Sequence, residues 1–225
     1  MPKNLSHCAL CGIPMAERAC KTTPGKAPAV CPTCNYDRLK AETLHVYEDR
    51  ELKEFARQAS IQEAHGYTNR DKDYSQLKPV KPRIEEIIEF AQKMNYRHLG
   101  LAFCVGLRNE AKIVEQLLLQ RGFQVSSVIC KIGNVDKNEI GLADDEKIVI
   151  NTPESMCNPV FQARALNEEK TEFNIVIGLC VGHDSIFFQQ SAAPCTVFAV
   201  KDRLLGHNPL AAIYTLDSYY RSLKG

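Results

Sequence analysis

The cysteines of this chain fall into two groups, and the first of them limits what its segment can become. Cys8, Cys11, Cys20, Cys31 and Cys34 share residues 1–34 with Pro2, Pro14, Pro24, Pro28 and Pro32, and no helical or strand periodicity runs through them. A stretch of this kind cannot fold by apolar burial and needs a cross-link. The start, Met1-Pro-Lys-Asn-Leu-Ser-His-Cys, has no apolar run of the kind that directs export, so a reducing, cytoplasmic setting is expected and disulfides are disfavoured. Metal is then the expected cross-link. Cys8-x2-Cys11-Gly12 and Cys31-Pro32-x-Cys34, separated by residues 12–30, have the spacing of zinc-ribbon or rubredoxin-like knuckles. Cys8, Cys11, Cys31 and Cys34 are the expected ligands of one zinc or iron ion, with Cys20 as an alternative member.

The second group, Cys104, Cys130, Cys157, Cys180 and Cys195, is spread through a different kind of sequence. Residues 35–80 read as a helical linker, with apolar residues from Leu39 to Ala59 spaced by three or four, then a polar loop ending at Pro79 and Pro82. From residue 81 onward helices and strands alternate. An amphipathic helix over 83–97 carries Ile84, Ile87, Ile88, Ala91 and Met94 on one face. Strands are expected at 99–105, 125–131, 174–180 and 196–200. Helices follow from Arg108 to Arg121, capped by Gly122, and from Asn158-Pro159 and Asn208-Pro209, where Asn suits an N-cap and Pro the first helical position. Residues 132–147 carry turn signals and the acidic run Asp144-Asp-Glu, and read as a loop or small hairpin.

This alternation predicts an α/β domain over 81–225, a Rossmann-like three-layer sandwich around a mainly parallel sheet of four or slightly more strands. In such sheets functional groups gather at the carboxyl ends of the strands. Cys104, Cys130, Cys157 and Cys180 are expected on that rim, and Cys195, which opens the last strand, on the opposite one. Single cysteines pack well as small core residues, and that is the reading for Cys195. Cys157 lies off the strands beside a helix N-terminus, where a thiolate is favoured. Four thiolates delivered singly from distant segments suit an iron-sulfur cluster, 4Fe-4S by ligand number, better than one ion. Phe103-Cys-Val-Gly and Leu179-Cys-Val-Gly share a turn whose glycine lets backbone approach a bulky object.

Lys201, Asp202, Arg203 and His207 after the last strand, and His183 and Asp184 after Cys180, are placed to surround a small molecule. Of these, His183, Asp184, Lys201 and His207 are the candidates for catalysis, with helix capping as the competing role for Asp184. With 28 Lys and Arg against 27 Asp and Glu, the net charge of +1 gives little pull on nucleic acid. No apolar run reaches the roughly 20 residues that cross a bilayer. No glycine-rich phosphate loop or serine triad is present. Three functions fit: a cluster-bearing protein in redox, sensing or metal handling with a redox partner; a metalloenzyme with an open metal position acting on a small molecule, His183 or Lys201 moving protons; and a thiol enzyme with Cys157 or Cys104 as nucleophile.

The segments Pro82-Arg-Ile-Glu-Glu-Ile-Ile-Glu-Phe-Ala, Leu101-Ala-Phe-Cys-Val-Gly-Leu, Met156-Cys-Asn-Pro, Gly178-Leu-Cys-Val-Gly-His-Asp-Ser and Val200-Lys-Asp-Arg-Leu-Leu-Gly-His-Asn-Pro resemble an uncharacterised prokaryotic family, domain of unknown function 1847. The resemblance implies metal binding through the cysteines and supplies no reaction.

Overall fold

The computed structural model describes residues 5–225, which fall into two compact units, the first running to Ile61 and the second from Gln62 to Gly225. In the first unit no residue from Leu5 to Ile61 is buried, so no apolar core forms, as the proline-rich and cysteine-rich composition requires. Its order comes from short turns. Cys8–Leu10 forms a 3-10 turn closed by Cys11 N–H donating to Cys8 O at 3.3 Å. Pro32 opens the single-turn helix α1 (Pro32–Asn35), where Cys34 and Asn35 N–H return to Cys31 O at 3.2 and 3.1 Å. Helices α2 (Asp37–Val46) and α3 (Arg50–His65) follow. Asp49 starts α3 by accepting from Leu52 N–H at 2.8 Å, and the boundary between the units falls within this helix, before Gln62.

The second unit is an α/β domain. A two-stranded antiparallel ribbon, β1 (Tyr67–Thr68) and β2 (Lys78–Pro79), precedes it. Helix α4 (Arg83–Lys93) leads to strand β3 (His98–Phe103), helix α5 (Arg108–Gln120) and strand β4 (Gln124–Ile129). After an insert come helix α6 (Pro159–Glu168), strand β5 (Phe173–Ile177), helix α7 (His183–Gln190), strand β6 (Cys195–Ala199) and the short helix α8 (Leu210–Tyr214). The four longer strands are all parallel in the order β4-β3-β5-β6. The crossover from β3 to β4 runs one way along the sheet, and those to β5 and β6 run the other. Right-handed crossovers therefore put α5 on one face and α6 with α7 on the other, which gives the three layers. β5 is buried along its whole length, Leu99, Leu101 and Ile175 are fully enclosed, and Phe173 packs its ring on Phe90 of α4 and on Tyr96.

The core also holds polar contacts. Asn174 is fully buried, accepts from the Thr171 hydroxyl at 2.8 Å and donates to Ser191 Oγ at 2.8 Å. A Cβ on Gly100 would stand 1.9 Å from Asn174 Oδ1, so the glycine is what makes room for this network.

Glu89 of α4 accepts from Lys81 at 2.7 Å and from Gln62 at 2.9 Å, with Lys93 also beside it. The Lys81 hydrogen bond outweighs burial and holds its carboxyl at about 2. A carboxyl depressed from an unfolded value near 4.3 stabilises the fold above that pH, and the contribution is lost as pH falls through about 2. Glu89→Gln is expected to cost about 1–3 kcal/mol at neutral pH and to flatten the acid-unfolding curve between about pH 4 and pH 2. Circular dichroism of both proteins across that range checks it.

The strands end earlier than the sequence suggests. β3 stops at Phe103 and β5 at Ile177, so Cys104 and Cys180 lie beyond the strands rather than closing them. At β5 the cause is Gly178, whose φ of +63 turns the chain while its N–H donates to Ala199 O at 2.7 Å. Asp184 is not the cap of α7, because Gly182 holds that position at φ +86. Asn208 caps nothing with its side chain either: the last helix begins at Leu210, after Pro209. Among the described residues no helix is long and apolar enough to cross a membrane.

Candidate functional site

The carboxyl rim is built by extending the sheet ladder one residue past the strands. Cys104 N–H donates to Ile177 O at 3.1 Å and Cys130 N–H to Phe103 O at 2.9 Å, which fixes both cysteines on adjacent strand ends. Asn158 N–H donates to Cys130 O at 2.8 Å and so brings the start of α6, with Cys157, onto the same spot. Asn158 then caps α6 by accepting from Phe161 N–H at 2.9 Å, as the Asn-Pro pair predicts. β3 lies between β4 and β5, where the direction of the connections reverses, and this is the crevice in which open α/β sheets bind ligands.

Three of the expected thiols are joined there. Cys130 is hydrogen-bonded to Cys104 on one side and to Cys157 on the other, and its sulfur accepts from Val105 N–H at 3.3 Å. Cys130 and Cys104 are buried, and Cys157 is half-buried. The central thiol is pushed upward by its two sulfur neighbours and by burial, so it keeps its proton and donates it. Cys104 is lowered, first by the Cys130 hydrogen bond, then by Gly106 N–H and the Lys201 ammonium against the opposing effect of burial. Cys157 is lowered by the same Cys130 hydrogen bond, with Lys131 and His183 adding positive potential. The sulfur of the fourth thiol, Cys180, accepts from Arg203 Nη2 at 3.1 Å. Cys195 lies at the other end of the sheet opposite Asn174, its thiol donating to Ala193 O at 3.4 Å and pushed up by burial.

The two Cys-Val-Gly turns do different things. A Cβ on Gly106 would lie 2.8 Å from Lys201 Nζ and 4.0 Å from Cys104 Sγ, so this glycine admits the lysine to the thiol. Gly182 has nothing within 4 Å of its Cβ position and serves the turn into α7. Lys201→Met is expected to raise the Cys104 titration from about 5, read as a loss of thiolate ultraviolet absorbance around that pH in metal-free protein; an unchanged titration curve would show that the Cys130 hydrogen bond suffices.

Of the other candidates, His183 lies beside Cys157, and its Nδ1 is buried with no hydrogen-bond partner among the described residues. Asp184 accepts from Ser185 N–H at 2.8 Å. His207 accepts at Nδ1 from Asp202 N–H at 3.1 Å and returns its own N–H to Asp202 O at 2.8 Å, while the Asp202 carboxylate accepts from Leu204 and Leu205 N–H. This His and Asp therefore fold the loop after β6. Two rim residues carried no sequence signal of their own. Gln162, fully buried, donates its amide to Val128 O at 2.8 Å and Phe103 O at 3.3 Å, leaving its Oε1 without a partner among the described residues. Lys131 donates to Ser155 O while lending its charge to Cys157.

In the first unit Cys8, Cys11, Cys20 and Cys31 line one small cleft of about 50 Å³ with His7 and Arg18. Arg18 ties the Cys20 loop to the first knuckle, donating to Cys11 O at 2.6 Å and Ile13 O at 2.7 Å. Gly25 closes that loop, since a Cβ there would lie 2.5 Å from Ala19 Cα. Cys34 is hydrogen-bonded to Cys31. Partial desolvation raises Cys31, yet hydrogen bonds from Thr33 and Cys34 outweigh it and lower the thiol; Cys34 is raised by partial desolvation and by the neighbouring Cys31. Among the described residues of the whole chain, no three His, Cys, Asp or Glu side chains stand in a group that could hold a metal ion.

Fold and rim together define an α/β protein with a parallel four-stranded sheet and a thiol-lined carboxyl edge. The family described as protein of unknown function (DUF1847) matches residues 31–198, and the chain belongs to that family. The match takes in the Cys31–Cys34 knuckle and all four rim cysteines, and begins after Cys8, Cys11 and Cys20. The chain is also similar to uncharacterized protein MJ0455 of Methanocaldococcus jannaschii, 50% identical over 145 residues that span 64% of this chain and 73% of the relative.

Proposed function

We propose that this is a metal-binding protein whose rim thiols hold an iron-sulfur cluster, with a second zinc or iron site in the first unit, in a redox, sensing or metal-handling role. The observation that carries the reading is the linked trio Cys104, Cys130 and Cys157 at the crevice of the sheet, with Cys180 nearby in sequence to the α7 turn that supplies His183. The donor set is all sulfur, which suits soft metals and iron-sulfur clusters. A cluster with four thiolate ligands carries net negative charge, and Lys201 at Cys104 and Arg203 at Cys180 offset it. When bound, the group supplies one-electron chemistry or a Lewis-acid metal. The residues of this chain orient the thiols and exclude water, since Cys104, Cys130 and Leu179 form part of a buried core cluster. In the first unit, Cys8, Cys11, Cys31 and Cys34 are the proposed ligands, with Cys20 the alternative member because it lines one cleft with Cys8, Cys11 and Cys31.

Anaerobic purification followed by metal and sulfide analysis with visible absorption spectra tests this. Iron and inorganic sulfide in a coloured protein support the reading; zinc alone in a colourless protein would sink it. A second reading, a thiol enzyme without a rim metal, is favoured by one observation: Cys104 and Cys157 are both lowered beside cations. Its test is alkylation of the metal-loaded protein, where stoichiometric reaction at Cys157 would favour it over the cluster.

A further inference from the structure

We propose that Cys130 and Cys157 form a peroxide-driven disulfide that fastens the neck of the insert between β4 and α6. The insert leaves the sheet at Cys130 and comes back at Cys157, and its two ends run side by side. Met156 N–H donates to Val135 O at 2.8 Å, Lys137 N–H to Glu154 O at 3.0 Å, and Asp136 bridges antiparallel to Ser155. With Asn158 N–H on Cys130 O, these bonds bring the two cysteines together at the base, where their thiols are hydrogen-bonded. Further out, Lys147 is buried between Asp144 at 2.8 Å and Asp136 at 3.5 Å, so the insert holds its own fold while Ile148, Val149 and Ile150 remain exposed at its far side.

Access selects the pair. Cys104 and Cys130 are 5% and 1% exposed, whereas Cys157 is the open member of the trio. A peroxide meets the Cys157 sulfur first. One oxygen is transferred to that sulfur and the other leaves as water once protonated, giving a sulfenic acid. The Cys130 sulfur then attacks it, the S–S bond forms, and the sulfenic oxygen leaves as a second water with the thiol proton. Two thiols lose two electrons in all, and one peroxide gains them. Cys104, buried and beside Lys201, stays reduced. Because the same sulfurs belong to the proposed cluster site, the disulfide belongs to the metal-free protein; its chemistry does not depend on the cluster reading.

The test uses full-length, metal-free protein treated with one equivalent of hydrogen peroxide, alkylated and mapped by mass spectrometry, with a parallel sample nicked by protease in the exposed 143–150 stretch. The expected result is a Cys130–Cys157 cross-link, fragments on either side of the nick that stay joined until a reductant is added, and loss of both in Cys157→Ser. A Cys104–Cys130 link, a link to Cys180 or Cys195, or fragments that separate without reductant would overturn the proposal. Failure of the cluster reading would show instead as the absence of iron and sulfide from the untreated protein.

Discussion

Cys130→Ala is expected to empty the rim of iron and sulfide while leaving the metal of the first unit in place. Cys130 is hydrogen-bonded to both of its neighbours, so its removal takes away a proposed ligand and the hydrogen bonds that orient Cys104 and Cys157. The side chain is small, and burial of a Cys-to-Ala gap costs on the order of 1 kcal/mol, so the protein should still fold. Metal and sulfide analysis of anaerobically reconstituted protein, with thermal unfolding as the control, reads the result. Iron and sulfide retained at the wild-type level in a folded variant would remove Cys130 from the site.

Gly178→Val is expected to damage the fold and the rim together. Gly178 sits at φ +63, which a β-branched residue resists, and a Cβ there would lie 2.0 Å from Leu107 Cδ1 and 3.8 Å from the Lys201 stem. Neither neighbour has an easy retreat: Leu107 is buried beneath the Cys104 turn, and Lys201 runs to the Cys104 thiol. The expected loss is roughly 3–5 kcal/mol, from backbone strain added to overpacking. Chemical denaturation measures it, and a loss below about 1 kcal/mol would show that the turn relaxes.

The fold was legible because its signals are local and repeated. Apolar spacing marks α4, Gly122 at φ +85 ends α5, and Asn158-Pro159 starts α6. The meeting of Cys104 and Cys130 follows from one topological fact, that parallel strands place all their carboxyl ends on one edge, and Cys157 reaches the same edge because the helix that follows it starts there. What failed depended on surroundings. Asn208-Pro209 repeats the Asn-Pro signal, but Asn158 is tied to the sheet by its N–H on Cys130 O, whereas Asn208 N–H turns back to Leu205 O and its side chain caps nothing. Asp184 lost its capping role to a glycine free to take φ +86. The fit of Lys201 beside Gly106 joins the loops after β3 and β6, strands that are not neighbours in the sheet, and no spacing in the chain encodes it. The same holds for Arg203 on Cys180 and for Gln162, whose place under the rim depends on the strand ends that it bonds.

The central claim is that sulfur atoms of this rim hold a cluster. Iron-edge X-ray absorption of the anaerobically purified Cys31→Ser protein, in which the first unit is impaired as a metal site, tests it most directly. The account predicts an all-sulfur first shell with iron-iron scattering behind it, lost when Cys104→Ser is added. A first shell of nitrogen or oxygen, or a protein with no iron to measure, would contradict it.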